Sequence, residues 1–458
     1  MKTPQTMELF PRRAAVVTTA ALLGVLIATC QQAGSAPFSR ELVAQGAYLA
    51  AAGDCSACHS APAGKPFAGG LPLTTPIGTV FSTNITPDPE TGIGRYGRDE
   101  FVKVMSEGVA KDGHHLYPAM PYVSYARVSQ DDLSALYAYF MQGVEPVRHT
   151  NRPTRLNWPL SIRSLMALWN ALYLKNGAYV VDPDQSASWN RGAYLVQGLG
   201  HCGECHTPRG VAGQMKTGDG QGGRRYLAGA TLDNWHASAL TGDPGTGLQA
   251  FSKSEIVEFL KTGRTARVAA LGVMSEVVGN STQFLTDQDL MAIAEYLKSL
   301  PAYEKVGEGN ADAAPLADDS SQATRALRAG ETGEPGSGLY LDNCNACHHS
   351  DGSGASRTFP NLVHNEAVNA KDPTSLIHIV LAGSAMPSTQ SAPSALAMPE
   401  LGWRLSDQEV ADLLSFVRAS WGNHAATVSQ DQVSRVRKTL AKQKAAELSS
   451  IRIGEKIE

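Results

Sequence analysis

The sequence predicts a mainly α-helical chain made of three tandem domains. Strand-like alternation of apolar and polar residues is scarce along its 458 residues. A Gly-x-Tyr-Leu segment recurs every 146 residues, with its glycine at Gly46, Gly192 and Gly338. A fixed period of this length indicates tandem domains, and three units agree with about 150 residues per domain.

Each unit is also expected to end alike, in a capped helix. A Ser or Thr cap comes first, an acidic residue stands three positions later and an aromatic residue ten positions later, so the three helices should present the same face. The caps are Ser129, Thr286 and Ser406, the acids are Asp132, Asp289 and Glu409, and the aromatic residues are Tyr139, Tyr296 and Phe416.

Composition excludes several classes of protein. Hydrophobic residues make up 43% of the chain and charged residues 18%, which is not the composition of a disordered protein. The net charge of −4, with both signs mixed, gives no basic footprint for nucleic acid.

Six of the seven cysteines lie in three copies of a C-x-x-C-H motif. This motif attaches c-type haem: two thiols form thioethers with the haem, and the histidine becomes the proximal ligand of the iron. Zinc would need paired motifs close in sequence, and a thioredoxin-like site would need a βαβ context. We therefore expect three covalently bound haem c groups on Cys55, Cys58, Cys202, Cys205, Cys344 and Cys347, with His59, His206 and His348 on the irons.

A helix, a haem motif, loops and a final aromatic-bearing helix form the pattern of a class I cytochrome c domain. A methionine is the expected sixth ligand of each iron, because haem that only carries electrons keeps six-coordinate iron. Distance to the final helix selects Met120, Met274 and Met398. Met386 is the rival at the third site; it lies farther from its helix, so Met398 is preferred.

Four other residues near these motifs could act at the haem sites, three by binding iron and one by orienting a proximal histidine. Three histidines are the less favoured alternatives to methionine: His114, His115 and His201. Pro360 resembles the proline whose carbonyl orients the proximal histidine.

The sequence shows no evident catalytic site. There is no P-loop, no G-x-S-x-G and no convincing pair of catalytic carboxylates. Residues 218–223 match G-x-G-x-x-G but lack the flanking strand and helix, so we interpret them as a loop. The sequence therefore predicts an electron carrier and not an enzyme.

The first 29 residues predict a signal peptide. Lys2, Arg12 and Arg13 precede a charge-free run at 14–28 that is too short to span a bilayer comfortably. Cys30 follows this run, and two hypotheses remain open: acylation of Cys30 as in a lipoprotein, or ordinary cleavage near it. Both predict export, which agrees with covalent attachment of haem in the periplasm.

Two segments outside the repeats leave alternatives open. Residues 152–175 are apolar and aromatic, and they either pack against the chain's own domains or form an amphipathic helix on the membrane surface or a partner subunit. The basic C-terminal stretch is either a solvated extension or a contact for a subunit or lipid head groups. The expected boundaries are a signal peptide at 1–29, domains at 37–150, 186–303 and 331–423, an apolar connecting segment at 151–185, a linker at 304–330 and a basic tail at 424–458.

Three segments carry a more specific likeness. Residues 82–94 (STNITPDPETGIG), 117–122 (YPAMPY) and 201–210 (HCGECHTPRG) resemble the cytochrome c subunits of membrane-bound, quinone-reducing dehydrogenases of acetic acid bacteria. The resemblance runs from about residue 40 to Asn423 and is greatest for the alcohol dehydrogenase type. Sister subunits serve gluconate, sorbitol, fructose and aldehyde dehydrogenases.

The resemblance implies a role in a complex at the periplasmic face of the inner membrane. A catalytic subunit with pyrroloquinoline quinone, flavin or molybdopterin would oxidise the substrate, and this chain would relay the electrons to membrane ubiquinone. Two alternatives remain: a free-standing periplasmic multihaem carrier, and a multihaem enzyme of the peroxidase type.

Overall fold

The computed structural model describes residue 1 and residues 37–75, 77–217, 223, 225–243, 247–303 and 321–454, with side chains up to residue 445. The predicted signal peptide, Cys30, most of 218–223 and residues 304–320 of the linker lie outside the described residues. The chain divides into Met1–Ser39 and Arg40–Glu458, and the second part holds all the helices and strands given below.

Helices dominate the described chain, which confirms the mainly α prediction. The first repeat contains α1 (Arg40–Ala52), α2 (Cys55–His59), β1 (Pro72–Thr75), β2 (Gly78–Phe81), α3 (Arg98–Glu107), α4 (Tyr122–Tyr125) and α5 (Gln130–Ala138), which continues as a π-helical turn at Tyr139–Gly143. The connecting segment contains β3 (Arg155–Leu156) and α6 (Leu165–Tyr173).

The second repeat keeps the order of the first, whereas in the third the hairpin comes after two further helices instead of directly after the motif helix. The second contains α7 (Ala187–Gln197), α8 (Gly203–His206), β4 (Ala230–Leu232), β5 (Trp235–Ala237), α9 (Lys253–Thr262), α10 (Val273–Asn280), a 3-10 turn at Thr282–Phe284 and α11 (Asp287–Ser299). The third contains α12 (Gln322–Ala329), α13 (Ser337–Asn343), α14 (Asn345–His348), α15 (Glu366–Asn369), α16 (Thr374–Ala382), β6 (Ser384–Ala385), β7 (Ala397–Met398), α17 (Asp407–Ala419) and α18 (Gln430–Gly454).

The strands form small antiparallel sheets. β1, β2 and β3 make one sheet, with Leu73 opposite Val80 and Gly78 opposite Leu156. β4 pairs with β5, and β6 pairs with β7. Each of the two-stranded sheets is a local hairpin.

The predicted caps begin α5, α11 and α17. The Ser129 hydroxyl accepts a hydrogen bond from the Asp132 backbone N–H, and Thr286 and Ser406 do the same for the residues three positions later. Ser406 and Glu409 also complete a capping box. The prediction of these helix starts is confirmed, because it depended on local chemistry alone.

In each repeat a glycine lets the chain before the motif cross the Ser- or Thr-capped helix at close range. A Cβ at Gly46 would overlap the Ala135 carbonyl oxygen, and one at Gly192 would overlap the Ala292 carbonyl oxygen. In the third repeat this place belongs to Gly336, which lies against the Asp412 carbonyl. Gly338, which the 146-residue repeat aligns with Gly46 and Gly192, is not at the crossing, because a Cβ there would meet only Thr332.

Repeats one and two contact each other through two equivalent tyrosines. Tyr48 on α1 donates to Asp289 Oδ2 at 2.6 Å, and Tyr194 on α7 donates to Asp132 Oδ2 at 2.5 Å. Each tyrosine hydroxyl also accepts the backbone N–H of the opposite helix cap, at 3.2 Å in both cases. The exchange is reciprocal, as expected for two similar units that face each other. We call these contacts the tyrosine latches.

The two latches differ in the charge of one partner. Asp289 accepts two bonds of 2.8 Å from Arg191, whereas Asp132 accepts one bond of 2.9 Å from Gln45, at the equivalent helix position. Burial opposes the ionisation of Asp289, but the hydrogen bonds from Arg191 and Tyr48 outweigh burial and hold its pKa below the ordinary value. The latch between Tyr48 and Asp289 is therefore the charge-assisted one.

This difference predicts unequal costs for two matched substitutions. We expect Asp289→Asn to lower the free energy of unfolding by about 2 kcal/mol at pH 7, and Asp132→Asn by about 1 kcal/mol. An acid with a lowered pKa in the folded state stabilises the fold above its unfolded pKa, and this stabilisation is lost as the pH falls. The Asp289→Asn effect should therefore shrink as the pH falls through about 4. Denaturant titrations at pH 7 and at decreasing pH check this; equal costs for both variants at every pH would contradict it.

The apolar connecting segment packs on one face only. Met166 and Trp169 of α6 are buried against Tyr117 and Tyr122 of the first repeat. The opposite face is open to solvent, where Leu168 is 61% exposed. Packing against the chain's own domains is thus correct for one side of α6. Among the described residues, no helix is long and apolar enough to cross a membrane.

Both flanks of the third repeat contribute to its core. Leu327 of α12, in the predicted linker, lies in the same buried cluster as Trp421. Val433 and Val436 of α18, in the predicted tail, belong to that cluster too. Arg437 Nε also bonds Asp407 Oδ1 at 2.6 Å. The first half of the basic tail is therefore part of the third repeat's packing and not a solvated extension.

Candidate functional site

Each C-x-x-C-H motif lies on a short helix that follows the glycine-bearing helix of its repeat. The motif helices are α2, α8 and α14. Two residues three positions apart on a helix share one face, so both cysteines of a motif can reach the same partner. The histidine comes one residue later, at the end of each motif helix.

The three motif histidines make the same hydrogen bond. His59 Nδ1 lies 2.6 Å from the Thr83 carbonyl oxygen, His206 Nδ1 lies 2.7 Å from that of Ser238, and His348 Nδ1 lies 3.0 Å from that of Pro360. A carbonyl can only accept, so Nδ1 must carry the proton and Nε2 keeps its lone pair. An imidazole held in this tautomer is a ready metal ligand.

Only one of these carbonyls was expected from the sequence. Pro360 was selected from its resemblance to a known pattern, whereas Thr83 and Ser238 were missed. Thr83 comes two residues after β2, and Ser238 directly follows β5. Any residue type supplies a backbone carbonyl, so the only signal that could have found them is the hairpin that precedes each.

Burial favours the neutral form of the motif histidines and of the first cysteine in each motif. It lowers the pKa of His59, His206 and His348, although the carbonyl bonds act in the opposite direction. It also raises the pKa of the Cys55, Cys202 and Cys344 thiols to about 12. Thiols this hard to ionise are poor redox nucleophiles. No group of three or more His, Cys, Asp or Glu side chains within the described chain could hold a metal ion.

The second and third motifs open into one cavity of about 610 Å³. Its walls are mainly apolar side chains from both repeats. The motif residues on the wall are Cys202, Cys205, His206, Cys344, Cys347 and His348, and the methionines are Met274, Met386 and Met398. An apolar cavity with cysteines and a neutral imidazole at each motif fits a covalently attached haem.

The three predicted methionines lie in different surroundings. Met274 is on α10 and lines the cavity. Met398 and its rival Met386 lie at the base of the β6–β7 hairpin, where the Met386 backbone N–H donates to the Leu396 carbonyl at 2.9 Å. Both line the cavity, so the preference for Met398 stays a prediction. Met120 packs against the core of the first repeat and against the cluster that Met166 and Trp169 of α6 form with Tyr117 and Tyr122.

The alternative histidine ligands all have other partners. His114 Nδ1 lies 2.5 Å from Asp112 Oδ1, and His115 Nδ1 lies 3.4 Å from Asn170 Nδ2. His201 hydrogen-bonds the Gly53 backbone and packs edge-on against the Tyr125 ring, with 5.9 Å between ring centroids. Because Nδ1 contacts leave Nε2 free, they do not decide between methionine and histidine, and the preference for methionine stays a prediction.

Direct contacts join the first and second motifs. Gly53, two residues before Cys55, accepts a bond of 3.1 Å from the Tyr125 hydroxyl and also bonds His201, the residue before Cys202. Inside the second motif, Glu204 Oε1 accepts a bond of 2.9 Å from the Ser124 hydroxyl. The region around the first motif is thus bonded to the second, and the second shares its cavity with the third.

Asp54 is a buried carboxyl that sequence analysis missed. It directly precedes Cys55 and lines the cavity, and its Oδ1 has no hydrogen-bond partner among the described residues. Burial, with a smaller contribution from Glu276, raises the pKa of Asp54 to about 8. Asp54 therefore places no full negative charge beside the motifs at neutral pH.

Comparison with known proteins gives several extensive matches. Residues 333–421 match the family model described as "Cytochrome c". The gluconate 2-dehydrogenase cytochrome c subunit of Pantoea cypripedii is 48% identical over 402 residues, which cover 87% of this chain and 90% of that protein.

Two further relatives are cytochrome subunits of other dehydrogenases. The cytochrome c subunit of the quinone alcohol dehydrogenase of Gluconobacter oxydans (strain 621H) is 46% identical over 423 residues, covering 92% of this chain and 87% of that protein. The fructose dehydrogenase cytochrome subunit of Gluconobacter japonicus is 36% identical over 451 residues, covering 93% and 89%. Each match spans most of both chains.

Proposed function

Because this chain belongs to the family of cytochrome c subunits of dehydrogenases, we propose that it is a triheme electron-transfer subunit. It relays electrons from a catalytic dehydrogenase subunit to membrane ubiquinone and has no catalytic site of its own. The catalytic partner is of the alcohol dehydrogenase type. It carries a quinone, flavin or molybdopterin cofactor and acts at the periplasmic face of the inner membrane.

The observation that carries this proposal is the threefold repetition of one ligand geometry. Each motif presents two cysteines on one helix face and a histidine whose Nδ1 faces a carbonyl. Three haem c groups on His59, His206 and His348, with Met120, Met274 and Met398 opposite, complete the proposed set. Covalent haem supplies reversible one-electron chemistry at each site.

The protein's own residues link the three sites and give the second and third a mainly apolar lining. Gly53, Tyr125 and His201 hold the first and second motifs together, while apolar side chains surround the second and third. A site that excludes water undergoes little solvent reorganisation when its charge changes. The arrangement favours transfer of electrons along the chain over reaction with a solvent-borne substrate.

We propose further that the open face of α6 rests on the membrane. Leu165, Leu168 and Leu172 are exposed on it, with Trp158 and Ile162 beside them. Residues 152–175 carry four basic side chains and no acidic one, which suits an anionic lipid surface. Acylation of Cys30 would add a second anchor.

The membrane proposal predicts a loss of vesicle binding. Replacing Leu165, Leu168 and Leu172 with serine should weaken co-sedimentation with phosphatidylglycerol-containing vesicles by about tenfold or more, since each exposed leucine contributes roughly 1 kcal/mol or more when buried. Val180→Ser with Val181→Ser is the matched control, because these exposed residues lie outside residues 152–175. Equal binding of the leucine variant and the parent chain would contradict the proposal.

A substrate panel tests the proposed function as a whole. The complex is purified gently from native membranes, and alcohols, aldehydes, polyols and sugar acids are added in turn while the haem absorbance is followed. We expect primary alcohols to reduce the haems and the other classes to fail. Reduction by a sugar acid instead would replace the alcohol dehydrogenase partner with a gluconate dehydrogenase type. Failure of every class, in a preparation that retains a catalytic subunit and responds to dithionite, would contradict the relay.

A further inference from the structure

The hairpin that carries both candidate methionines of the third site is held from outside its own repeat. Arg264, in the turn after α9 of the second repeat, points its Nη2 at three carbonyl oxygens of this hairpin. The distances are 2.6 Å to Ser394, 3.2 Å to Pro387 and 3.4 Å to Ala392. These acceptors lie between Met386 and Met398, so one guanidinium bridges the two arms of the hairpin.

Other residues of the second repeat contact the same hairpin. Gly263, which has a left-handed backbone, lies so close to Pro387 that a Cβ would overlap the proline ring. The Gly272 N–H donates to the Ser384 hydroxyl at 2.9 Å, and Gln283 Oε1 accepts the Gln390 N–H at 3.0 Å. The hairpin is therefore fixed at its base, along one arm and near its tip.

The charge of Arg264 is unusual for its surroundings. The side chain is only 6% exposed, and its Nε has no hydrogen-bond partner among the described residues. None of the ion pairs found within the described chain involves it. Burying a guanidinium without a carboxylate is costly, because carbonyl oxygens supply only partial negative charge. A neutral side chain that donates hydrogen bonds would link the two repeats at a lower cost of desolvation.

We infer that Arg264 is a positioning residue of the third haem site: it holds the Ser384–Met398 hairpin so that a methionine of this hairpin binds the iron, and its buried charge raises the reduction potential of that haem. The inference rests on the proposed function, since it presupposes a haem on Cys344 and Cys347. A positive charge in a poorly screened interior favours the reduced form, which carries one positive charge fewer. The second repeat would thereby raise the reduction potential of the haem in the third repeat.

Two substitutions separate the positioning from the charge. Arg264→Gln removes the charge and most of the donors, whereas Arg264→Lys keeps the charge on a shorter side chain that does not place a donor where Nη2 lies. Arg357→Gln is the matched control. Arg357 also joins the second and third repeats, through Glu258 at 2.5 Å, but it is exposed and the structure gives it no bond to the hairpin.

The midpoint potentials of the haem-loaded protein are measured by potentiometric titration. The far-red absorption band of methionine-ligated ferric haem and the binding of carbon monoxide are also recorded. For Arg264→Gln we expect one midpoint potential to fall, one haem's share of the far-red band to disappear and one equivalent of carbon monoxide to bind. Arg264→Lys should lose the same share of the band but keep a midpoint above that of Arg264→Gln. Arg357→Gln should match the parent chain in all three measurements.

The results distinguish this inference from the proposed function. Haem content is measured first, and a parent chain without three haems would count against the proposed function. Three haems with unchanged midpoints and an intact far-red band in Arg264→Gln would overturn the role of Arg264 alone. If Arg264→Gln does not fold, Arg264→Lys decides, because an undiminished far-red band in that variant rules out the positioning role.

Discussion

Replacing Cys202 and Cys205 together with serine is expected to lower the covalent haem content from three to two per chain. Serine cannot form the thioether, so the second haem is lost while the first and third motifs keep theirs. The second motif shares its cavity with the third, so loss of the second haem should also interrupt electron transfer through the chain. Mass spectrometry and the alkaline pyridine spectrum of the purified variant give the haem count.

The matched control is Cys30→Ser, which removes a cysteine outside the motifs and should leave all three haems in place. The equivalent double variants at Cys55 and Cys58, and at Cys344 and Cys347, should each lose one haem too. A parent chain with fewer than three haems, or a Cys202/Cys205 variant that keeps the parental number, would show that the motif assignment is wrong.

Gly192→Ala is expected to destabilise the fold strongly, although alanine is the better helix former. The new Cβ would overlap the Ala292 carbonyl of α11, and a backbone atom cannot turn away as a side chain can. Overpacking of this kind costs about 3 kcal/mol, of which the helix propensity of alanine returns about 1 kcal/mol. We expect a net loss of about 2 kcal/mol in the free energy of unfolding, measured by denaturant titration.

Gly333→Ala provides the comparison for that experiment. Gly333 lies in the loop before α13, and a Cβ there would meet nothing within 4 Å. Its replacement should change the free energy of unfolding by less than about 0.5 kcal/mol. Equal effects of the two substitutions would mean that α7 and α11 do not cross as closely as described.

The features that depend on local chemistry could be predicted from the sequence. The caps at Ser129, Thr286 and Ser406 need only a hydroxyl and the N–H three residues later, so a short segment suffices to predict them. The C-x-x-C-H motifs are local in the same sense. The repeat marked Gly46 and Gly192 as equivalent positions, but the close helix crossing at these glycines became visible only in the structure.

Features that depend on packing between repeats were not accessible in the same way. Arg264 looks like any polar residue in a turn until the hairpin of the next repeat is packed over it. Val433 and Val436 lie in a stretch whose basic residues suggested a solvated tail, yet these two apolar side chains suffice to join it to a core. The tyrosine latches were also missed, because Tyr48 and Asp289 are far apart in sequence.

The most direct test of the relay follows electrons through the intact complex by rapid-mixing absorbance. Substrate is added to the oxidised complex, and a short-chain ubiquinone is added once the haems are reduced. The account predicts that all three haems are reduced within the turnover time of the dehydrogenase and reoxidised by the quinone at a matching rate. Haems that stay oxidised while substrate is consumed and quinol is formed would contradict the relay.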